Sequence, residues 1–169
     1  MKRFILAFAL ILSICISLLA TTVERLSLDD MVRKANSIVH GTVRSQTTHW
    51  SSDGRLILTT TTIDVAETIK GPAKKTVELT TIGGQVGDRG LFVSGMPSFE
   101  AGEEAVIFIE NSGAYSIVVG LSQGKFAVKN GEVANTISNL AFADGKGGGA
   151  PLRMRLEDFK RQIQSRLHQ

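Results

Sequence analysis

The run from Leu56 to Ile69 constrains the fold of this chain most, because two kinds of side chain alternate along it. One face is β-branched and apolar and the other carries polar residues such as Asp64, which predicts a strand with one buried face. The inward face consists of Ile57, Thr59, Thr61, Ile63, Val65 and Ile69. This length and β-branching are typical of a coiled strand that turns the corner of a barrel. Gly71-Pro72 predicts a turn, after which Thr76–Ile82 returns as the next strand.

Further strands are predicted on both sides of this pair. The segment Ser37–Arg44 contains Gly41, and a glycine inside a strand commonly marks a bulge or a bend. The segment Ala105–Ile109 is apolar at every position, which predicts a central strand covered on both faces. The remaining strands are predicted at Tyr115–Val119, Lys125–Lys129 and Glu132–Ala134, the last two joined by an Asn130-Gly131 hairpin turn.

A helix is predicted before these strands and another after them. Ser27 can cap the first helix, which we expect to end near Asn36, because Asp29 and Asp30 follow where the helix dipole favours negative charge. The last helix is amphipathic. Its buried face is predicted to contain Leu156, Phe159, Ile163 and Leu167, and its water-facing side Arg155, Lys160, Arg161 and Arg166.

The fold class predicted from these elements is mainly β. Roughly six or seven short strands, with a short N-terminal helix and a C-terminal amphipathic helix, favour a small OB-like (Greek-key) barrel. A two-sheet sandwich is the alternative. Periodicity cannot choose between the two, because inward and outward residues alternate in the same way in both.

The first twenty residues have the features of a secretory signal peptide. Lys2 and Arg3 precede an apolar run from Phe4 to Ala20, and Ala20 offers a small residue for cleavage. The alternative is an uncleaved membrane anchor, although the run is shorter than the roughly 20 residues of a spanning helix. We therefore expect residues 1–20 to be a signal peptide, 21–169 to be one β-barrel domain, and the protein to be secreted or periplasmic. Membrane contact is expected only through an uncleaved leader.

Removal of the leader changes the composition. Without Lys2 and Arg3, 17 basic residues face 16 acidic ones, which gives a net charge of +1 and no electrostatic reason to expect nucleic acid as a partner. Cys15, the single cysteine, lies in the leader. The mature chain therefore has no disulfide, thiol catalysis or cysteine-ligated metal.

Three phrases of the chain have a family likeness. They are Asn36–Val43, the threonine-rich strand that runs into Ile69-Lys70-Gly71, and Phe99–Phe108. Together they resemble the framework of netrin-like and tissue-inhibitor-of-metalloproteinase-like domains, which implies a small barrel. Those inhibitors chelate a protease zinc through an N-terminal cysteine, so their mechanism does not carry over to a mature chain without cysteine.

A broader likeness covers most of the mature chain. The phrases that carry it are Val23–Leu28, Gly83–Gly87, Ser94–Phe99, Gly102–Glu104 and Gly120–Phe126. With these phrases in this order, the chain is similar to an uncharacterised family of secreted bacterial proteins. The resemblance implies kinship and export, and it brings no activity with it.

The glycine-rich segment 83–102 is the main candidate for a binding site. Glycine-rich backbone allows close approach of a ligand, and loops on a barrel rim commonly carry such sites. Its candidate residues are Arg89, Phe92, Met96 and Phe99. The structural alternative is a long connection that covers one barrel end and plugs the core with its apolar residues. Trp50, in the polar stretch 46–54, either contacts a sugar or a protein partner or folds back over the barrel mouth.

No catalytic, metal or cofactor motif occurs in the mature chain. His40, His49 and His168 lack the helical spacing of a zinc-protease motif, and adjacent Glu103 and Glu104 are expected to point to opposite faces of a strand. We therefore expect no catalytic residue, metal ligand or cofactor.

Two function classes remain open. The first, which the sequence favours, is an exported non-enzymatic module that binds a secreted protein or a glycan through loops on a β-barrel; an inhibitor of a secreted protease is a narrower form of it. The second is a secreted hydrolase or metal-dependent enzyme whose site is assembled from distant residues. Convergence of His40, His49 and Asp88 in one pocket would support the second class.

Overall fold

The computed structural model of the protein describes residues 23–145 and 151–168. In these ranges the chain is mainly β. The helices are α1 Leu28–Lys34, α2 Leu156–Leu167 and a 3₁₀ helix Leu121–Gly124, and the strands are β1 Ser37–Trp50, β2 Ile57–Lys70, β3 Thr76–Ile82, β4 Gly84–Val86, β5 Arg89–Leu91, β6 Glu104–Ser112, β7 Tyr115–Val118, β8 Lys125–Lys129, β9 Glu132–Asn135 and β10 Arg153–Arg155. The predicted leader lies outside the described residues. Among those described, no helix combines the length and apolarity needed to span a membrane.

Eight strands form one antiparallel sheet. Their order is β10-β9-β8-β6-β1-β2-β3, and β7 also pairs with β6. One edge of β6 is shared, since Ala105–Ile107 pairs with β8 and Ile109–Ser112 pairs with β7. Cα atoms of β3 and β7 come within 8 Å of each other, and no backbone hydrogen bond joins these two strands in the described ranges. A short hairpin of β4 and β5 stands apart from the main sheet.

Strand β6 is covered on both faces, which confirms the prediction for Ala105–Ile109. Val106 and Phe108 are fully buried on the side of the two helices. Ala105 and Ile107 are fully buried on the opposite side. A strand with two buried faces needs apolar residues at every position, and that is what the uninterrupted apolar run supplied.

The apolar core has two layers, one on each side of β1 and β6. The inner layer consists of Val39, Val43, Ile63, Val77, Leu79, Phe99, Ala105, Ile107, Ile109 and Val118. The outer layer joins the sheet to both helices, and Phe108, Phe126 and Phe159 pack within it at ring-centroid distances of 4.5 to 6.1 Å. The helices therefore close one side of the sheet, and the opposite side is closed by the strands and the loop after β3.

Helix α1 begins where the sequence predicts. Asp30 N–H donates to Ser27 Oγ at 3.1 Å, and Ser27 N–H donates to the Asp30 carboxylate at 3.1 Å, which forms a capping box. The hydrogen bonds from Ser27 hold the pKa of the Asp30 carboxyl below its usual value. At the other end, Lys70 Nζ donates to the carbonyl oxygens of Val32 and Ala35 at 2.7 and 2.6 Å. A cation from β2 thus satisfies the last turn of the helix.

Helix α2 has the predicted apolar face, with Phe159 and Ile163 buried and Leu156 and Leu167 partly buried. The prediction that all four cations face water is wrong for two of them. Lys160 pairs with Glu67 of β2 at 2.7 Å, and Arg166 pairs with Asp29 of α1. Partial burial opposes the charge on Lys160, but its bond to Glu67 and its contact with Glu157 together raise its pKa. These pairs anchor α2 to the sheet and to α1.

Strand β1 is longer than predicted, since it continues beyond Arg44 to Trp50. Its second half pairs only with β2, so that Gln46–His49 lie opposite Leu58–Thr61. The predicted irregularity at Gly41 is confirmed by a register shift beside it. A Cβ added at Gly41 would lie 2.3 Å from the carbonyl oxygen of Asp64, so the close approach of the two strands requires glycine.

The segment before α1 is held by the 3₁₀ helix. Leu26 N–H donates to Gln123 Oε1 at 2.9 Å, and Gln123 Nε2 donates to the Glu24 carbonyl at 2.9 Å. Val23 forms a parallel bridge with Phe142. The phrase Gly120–Phe126 therefore has a structural role, in which one buried glutamine satisfies two backbone groups of a distant segment.

Candidate binding site

The segment after β3 folds back over the end of β1, β2 and β3. It starts at Gly83 and Gly84, whose φ angles of 124° and 122° favour glycine. A Cβ on Gly84 would lie 2.6 Å from both Thr48 Cγ2 and Thr59 Oγ1. The β4–β5 hairpin therefore sits directly on the side chains of β1 and β2, and glycine allows this close contact.

Beneath this segment lies a cavity of about 220 Å³, which we call the threonine cavity. Its floor contains Thr59, Thr61 and Thr81, which lie side by side on β2 and β3 in the register of the sheet. The loop contributes Phe92, Met96 and Phe99, and the remaining lining residues are Gln46, Ile82, Gly83, Gly84, Leu91, Val93, Pro97 and Ser98. None of these lining residues carries a charge. The cavity is thus a neutral site with a hydroxyl floor and an apolar wall.

The hydroxyl groups of the floor differ in their partners. Thr59 Oγ1 donates to the Gly83 carbonyl at 2.7 Å, which ties the strand to the start of the loop. Thr61 is fully buried, and its Oγ1 has no hydrogen-bond partner among the described residues. Gln46 Nε2 donates to the Phe99 carbonyl at 2.6 Å and fixes the far end of the loop. The cavity therefore has a held rim and one buried hydroxyl with its bonding capacity unused.

The loop residues predicted from the sequence occupy different depths. Phe92 is 87% exposed at the rim, Met96 is half-buried, and Phe99 is buried in the inner core with the Lys125 ammonium 4.8 Å from its ring centroid. The two interpretations of this loop thus apply to different residues of it, because Phe99 plugs the core and Phe92 remains accessible. Three of the predicted residues line one cavity.

Trp50 and Arg89 lie outside the lining. Trp50 is 40% exposed and shares a face of the β1–β2 hairpin with Thr48 and Thr59, at the outer end of the same surface. It is not among the residues that line the cavity. Arg89 is exposed on β5 and lines neither this cavity nor its neighbours. Trp50 can therefore extend a contact surface beyond the rim, whereas nothing places Arg89 in the cavity.

The threonines of the floor were missing from the predicted site residues. Thr59 and Thr61 occupy inward positions of β2, where Ile57 and Ile63 on either side are buried apolar residues. A hydroxyl at an inward position of an otherwise apolar face departs from the expected pattern. That departure was visible in the sequence, although the loop that covers it was not.

A second cavity lies on the other side of Met96 and Pro97, which line both. This apolar groove has a volume of about 390 Å³ and runs along the approach of β3 to β7. Its apolar residues include Leu56, Leu58, Ile82, Tyr115, Ile117, Val118 and Leu121. Leu56 and Tyr115 are 41% and 44% exposed, so the groove has an accessible apolar rim. Asp53 lies at its hairpin end, where hydrogen bonds from Ser51 and the Arg55 backbone hold the pKa of its carboxyl low.

The adjacent carboxylates Glu103 and Glu104 point in opposite directions, as predicted. Glu103 pairs with Lys125 at 2.7 Å beside a polar cavity of about 240 Å³. Glu104 lies 2.6 Å from His40 Nε2 on the other face of the strand. Because each carboxylate is committed to a different partner, the two do not form one acid-base site.

The histidines do not converge. His40 and His49 lie toward opposite ends of β1, which at about 3.3 Å per residue separates them by roughly 30 Å. Asp88 lies in the turn of the β4–β5 hairpin. The convergence that would support a metal or hydrolytic site is therefore not present for this set. Within residues 23–145 and 151–168, no group of three or more metal-binding side chains is placed to hold an ion.

Comparisons with family models, with curated proteins and with solved structures found no match to this chain.

Proposed function

We propose that the protein is an exported, non-enzymatic binding module that holds its ligand at the loop-covered end of an OB-like barrel. The observation that supports this most directly is the convergence of Phe92, Met96 and Phe99 on the threonine cavity. An accessible aromatic ring, a half-buried thioether and a rigid floor of hydroxyls are the parts of a small preformed binding site.

The barrel in this proposal is completed by β3 and β7. Support comes from the approach of their Cα atoms to within 8 Å and from the shared inner core. Val77 and Leu79 of β3 and Val118 of β7 belong to one apolar cluster. Side chains that pack together beneath two neighbouring strands are what a small closed barrel requires. This barrel also fits the netrin-like framework that the sequence resembles.

The partner in this proposal is a secreted protein or a glycan. The leader would deliver the protein to the periplasm or the medium, where both classes of ligand occur. The near-neutral charge of the mature chain and the uncharged lining of the cavity favour recognition by shape and hydrogen bonds over recognition by charge.

Ligand capture tests this function. The protein, expressed from its full-length coding sequence and purified, is immobilised and exposed to envelope and culture-medium fractions of the source organism. We expect one protein or glycan to be retained, and Phe92→Ala to remove the retention without loss of folding, since Phe92 is almost fully exposed.

Two variants serve as controls. Leu152→Ala removes an exposed apolar side chain far along the chain from the site and should retain the ligand. Tyr115→Ala removes the exposed aromatic residue of the apolar groove. If Tyr115→Ala abolishes retention and Phe92→Ala does not, the ligand binds in the groove and the site is assigned wrongly. If nothing is retained by the folded protein, the proposed function fails.

A further inference from the structure

The lining of the threonine cavity restricts the charge of its ligand. Every residue that lines it is uncharged, so a carboxylate, phosphate or ammonium group inside would be buried without a counter-ion. Lys125 and Glu103, which line the neighbouring polar cavity, already pair with each other at 2.7 Å. The cavity is therefore suited to a neutral group.

The floor requires hydrogen bonds. Thr61 Oγ1 is buried and unpartnered among the described residues, and a hydroxyl has one donor and two acceptor sites to satisfy. Thr59 Oγ1 donates to the Gly83 carbonyl and lies 3.4 Å from Thr48 Oγ1, from which it accepts, so one acceptor site of this hydroxyl remains. An aliphatic or aromatic side chain of a protein partner would leave these sites unsatisfied. A ligand that carries its own hydroxyl groups would pair with them in either direction.

The rim offers apolar surface of a particular kind. Phe92 presents almost its whole side chain to solvent, and Trp50 lies on the same face of the hairpin as Thr48 and Thr59. An exposed aromatic ring at the rim of a cavity with a hydroxyl floor matches a molecule with one apolar C–H face and a polar edge. A pyranose ring has this construction.

Rigidity supports the same assignment. Thr59 holds the start of the loop and Gln46 holds its end, through bonds of 2.7 and 2.6 Å to the carbonyls of Gly83 and Phe99. A weakly hydrophobic ligand gains affinity when the site is formed in advance, because little ordering is needed on binding.

From these features we infer that the ligand of the threonine cavity is a neutral sugar residue of a glycan, stacked on Phe92 and hydrogen-bonded to Thr61. The inference rests on the proposed function and names the ligand class of the same site. The inferred ligand class differs between the two cavities, because the lining of the apolar groove suits a purely apolar group.

Saccharide titration tests the inference. The full-length protein is titrated with glucose, galactose, mannose and N-acetylglucosamine and with their linked trimers, with binding followed by calorimetry and by the fluorescence of Trp50, the single tryptophan. Glucuronic acid and glucosamine are the charged counterparts. We expect at least one neutral saccharide to bind and its charged counterpart to bind about tenfold more weakly or not at all.

Variants locate the binding. Thr61→Val keeps the shape of the side chain and removes the hydroxyl, and we expect it to weaken saccharide binding by about tenfold while the protein stays folded. Phe92→Leu keeps an apolar group but removes the ring, and it should weaken binding as well. Tyr115→Ala in the apolar groove is the matched control and should bind as the unaltered protein does.

Three results would overturn the inference: no neutral saccharide binds, charged sugars bind equally well, or binding is indifferent to Thr61→Val and Phe92→Leu. If a protein from the envelope is retained in a Phe92-dependent way while all saccharides fail, the ligand is a protein. In that case the proposed function stands and the sugar assignment falls.

Discussion

Replacement of Thr61 by valine should stabilise the protein. The side chain is fully buried, and its hydroxyl has no partner among the described residues. A buried hydroxyl without a hydrogen bond costs about 1 to 3 kcal/mol, and valine has nearly the same shape, so the substitution opens no cavity. At the lower end of this range the expected gain is about 1 kcal/mol. For a chain of this size the midpoint temperature should rise by about 2 to 4 °C.

The neighbouring threonine provides the control. Thr59 lies two positions along the same face of β2, but its Oγ1 donates to the Gly83 carbonyl at 2.7 Å. Thr59→Val removes that bond and leaves the carbonyl without this donor, which should cost about 1 kcal/mol. The same chemical change at two adjacent inward positions is therefore expected to have opposite signs, with a difference of about 2 kcal/mol.

Urea unfolding followed by circular dichroism and by Trp50 fluorescence measures both values from the shift of the midpoint. Equal slopes in the two variants would show that the change is one of stability alone. If Thr61→Val loses stability to the same extent as Thr59→Val, the Thr61 hydroxyl is already satisfied in the free protein. In that case the Thr61 hydroxyl does not await a ligand.

Three further predictions concern the loop, the hairpin tip and the leader. Gly84→Ala should destabilise the protein by about 1 to 3 kcal/mol in urea unfolding, because Gly84 has a positive φ and the added Cβ would lie 2.6 Å from its neighbours. Gly90→Ala is the control and should cost much less, because its Cβ would stay 3.9 Å from the nearest atom. Asp53→Asn should lower the free energy of unfolding at pH 7, because the ionised Asp53 carboxylate, whose pKa is depressed in the folded protein, stabilises the fold. The difference should vanish as the pH falls through that lowered pKa, below about 3.8, and unfolding curves between pH 7 and pH 2 check this. Intact-mass measurement of the protein purified from its source organism should give a chain that starts at Thr21, and a mass that retains residues 1–20 would favour the anchor.

Local patterns in the sequence predicted the elements that are stabilised locally. The Asn130-Gly131 turn has φ angles of 54° and 77°, as a tight hairpin needs, and the Ser27 capping box forms as the first turn predicts. The second half of β1 was missed because Gln46–Trp50 is mostly exposed and pairs with one neighbour only, so its side chains show no apolar alternation. The β4–β5 hairpin was missed because its glycines serve contact with Thr48 and Thr59, which only the folded chain brings near.

The candidate site was predicted in part for the same reason. An apolar residue in a glycine-rich loop is conspicuous, so Phe92, Met96 and Phe99 were identified. The depth to which the loop enters the fold decides which of these residues is buried in the core and which stays accessible. That depth cannot be predicted from the sequence. The approach of β3 to β7 likewise depends on the curvature of the whole sheet rather than on any one residue.

The anchoring of the N-terminal segment by Gln123 has a consequence for the order in which the chain folds. Leu26 and Glu24 bond to Gln123, which lies nearly a hundred positions later in the chain. Val23 pairs with Phe142, and Asp29 pairs with Arg166 near the end of the chain. As the chain emerges N-terminus first, the segment before β1 lacks these partners until most of the chain has emerged, although β1, β2 and β3 can already pair with one another. Completion of the fold is therefore postponed until synthesis is almost finished. The N-terminal segment is among the last parts of the chain to be fixed in place.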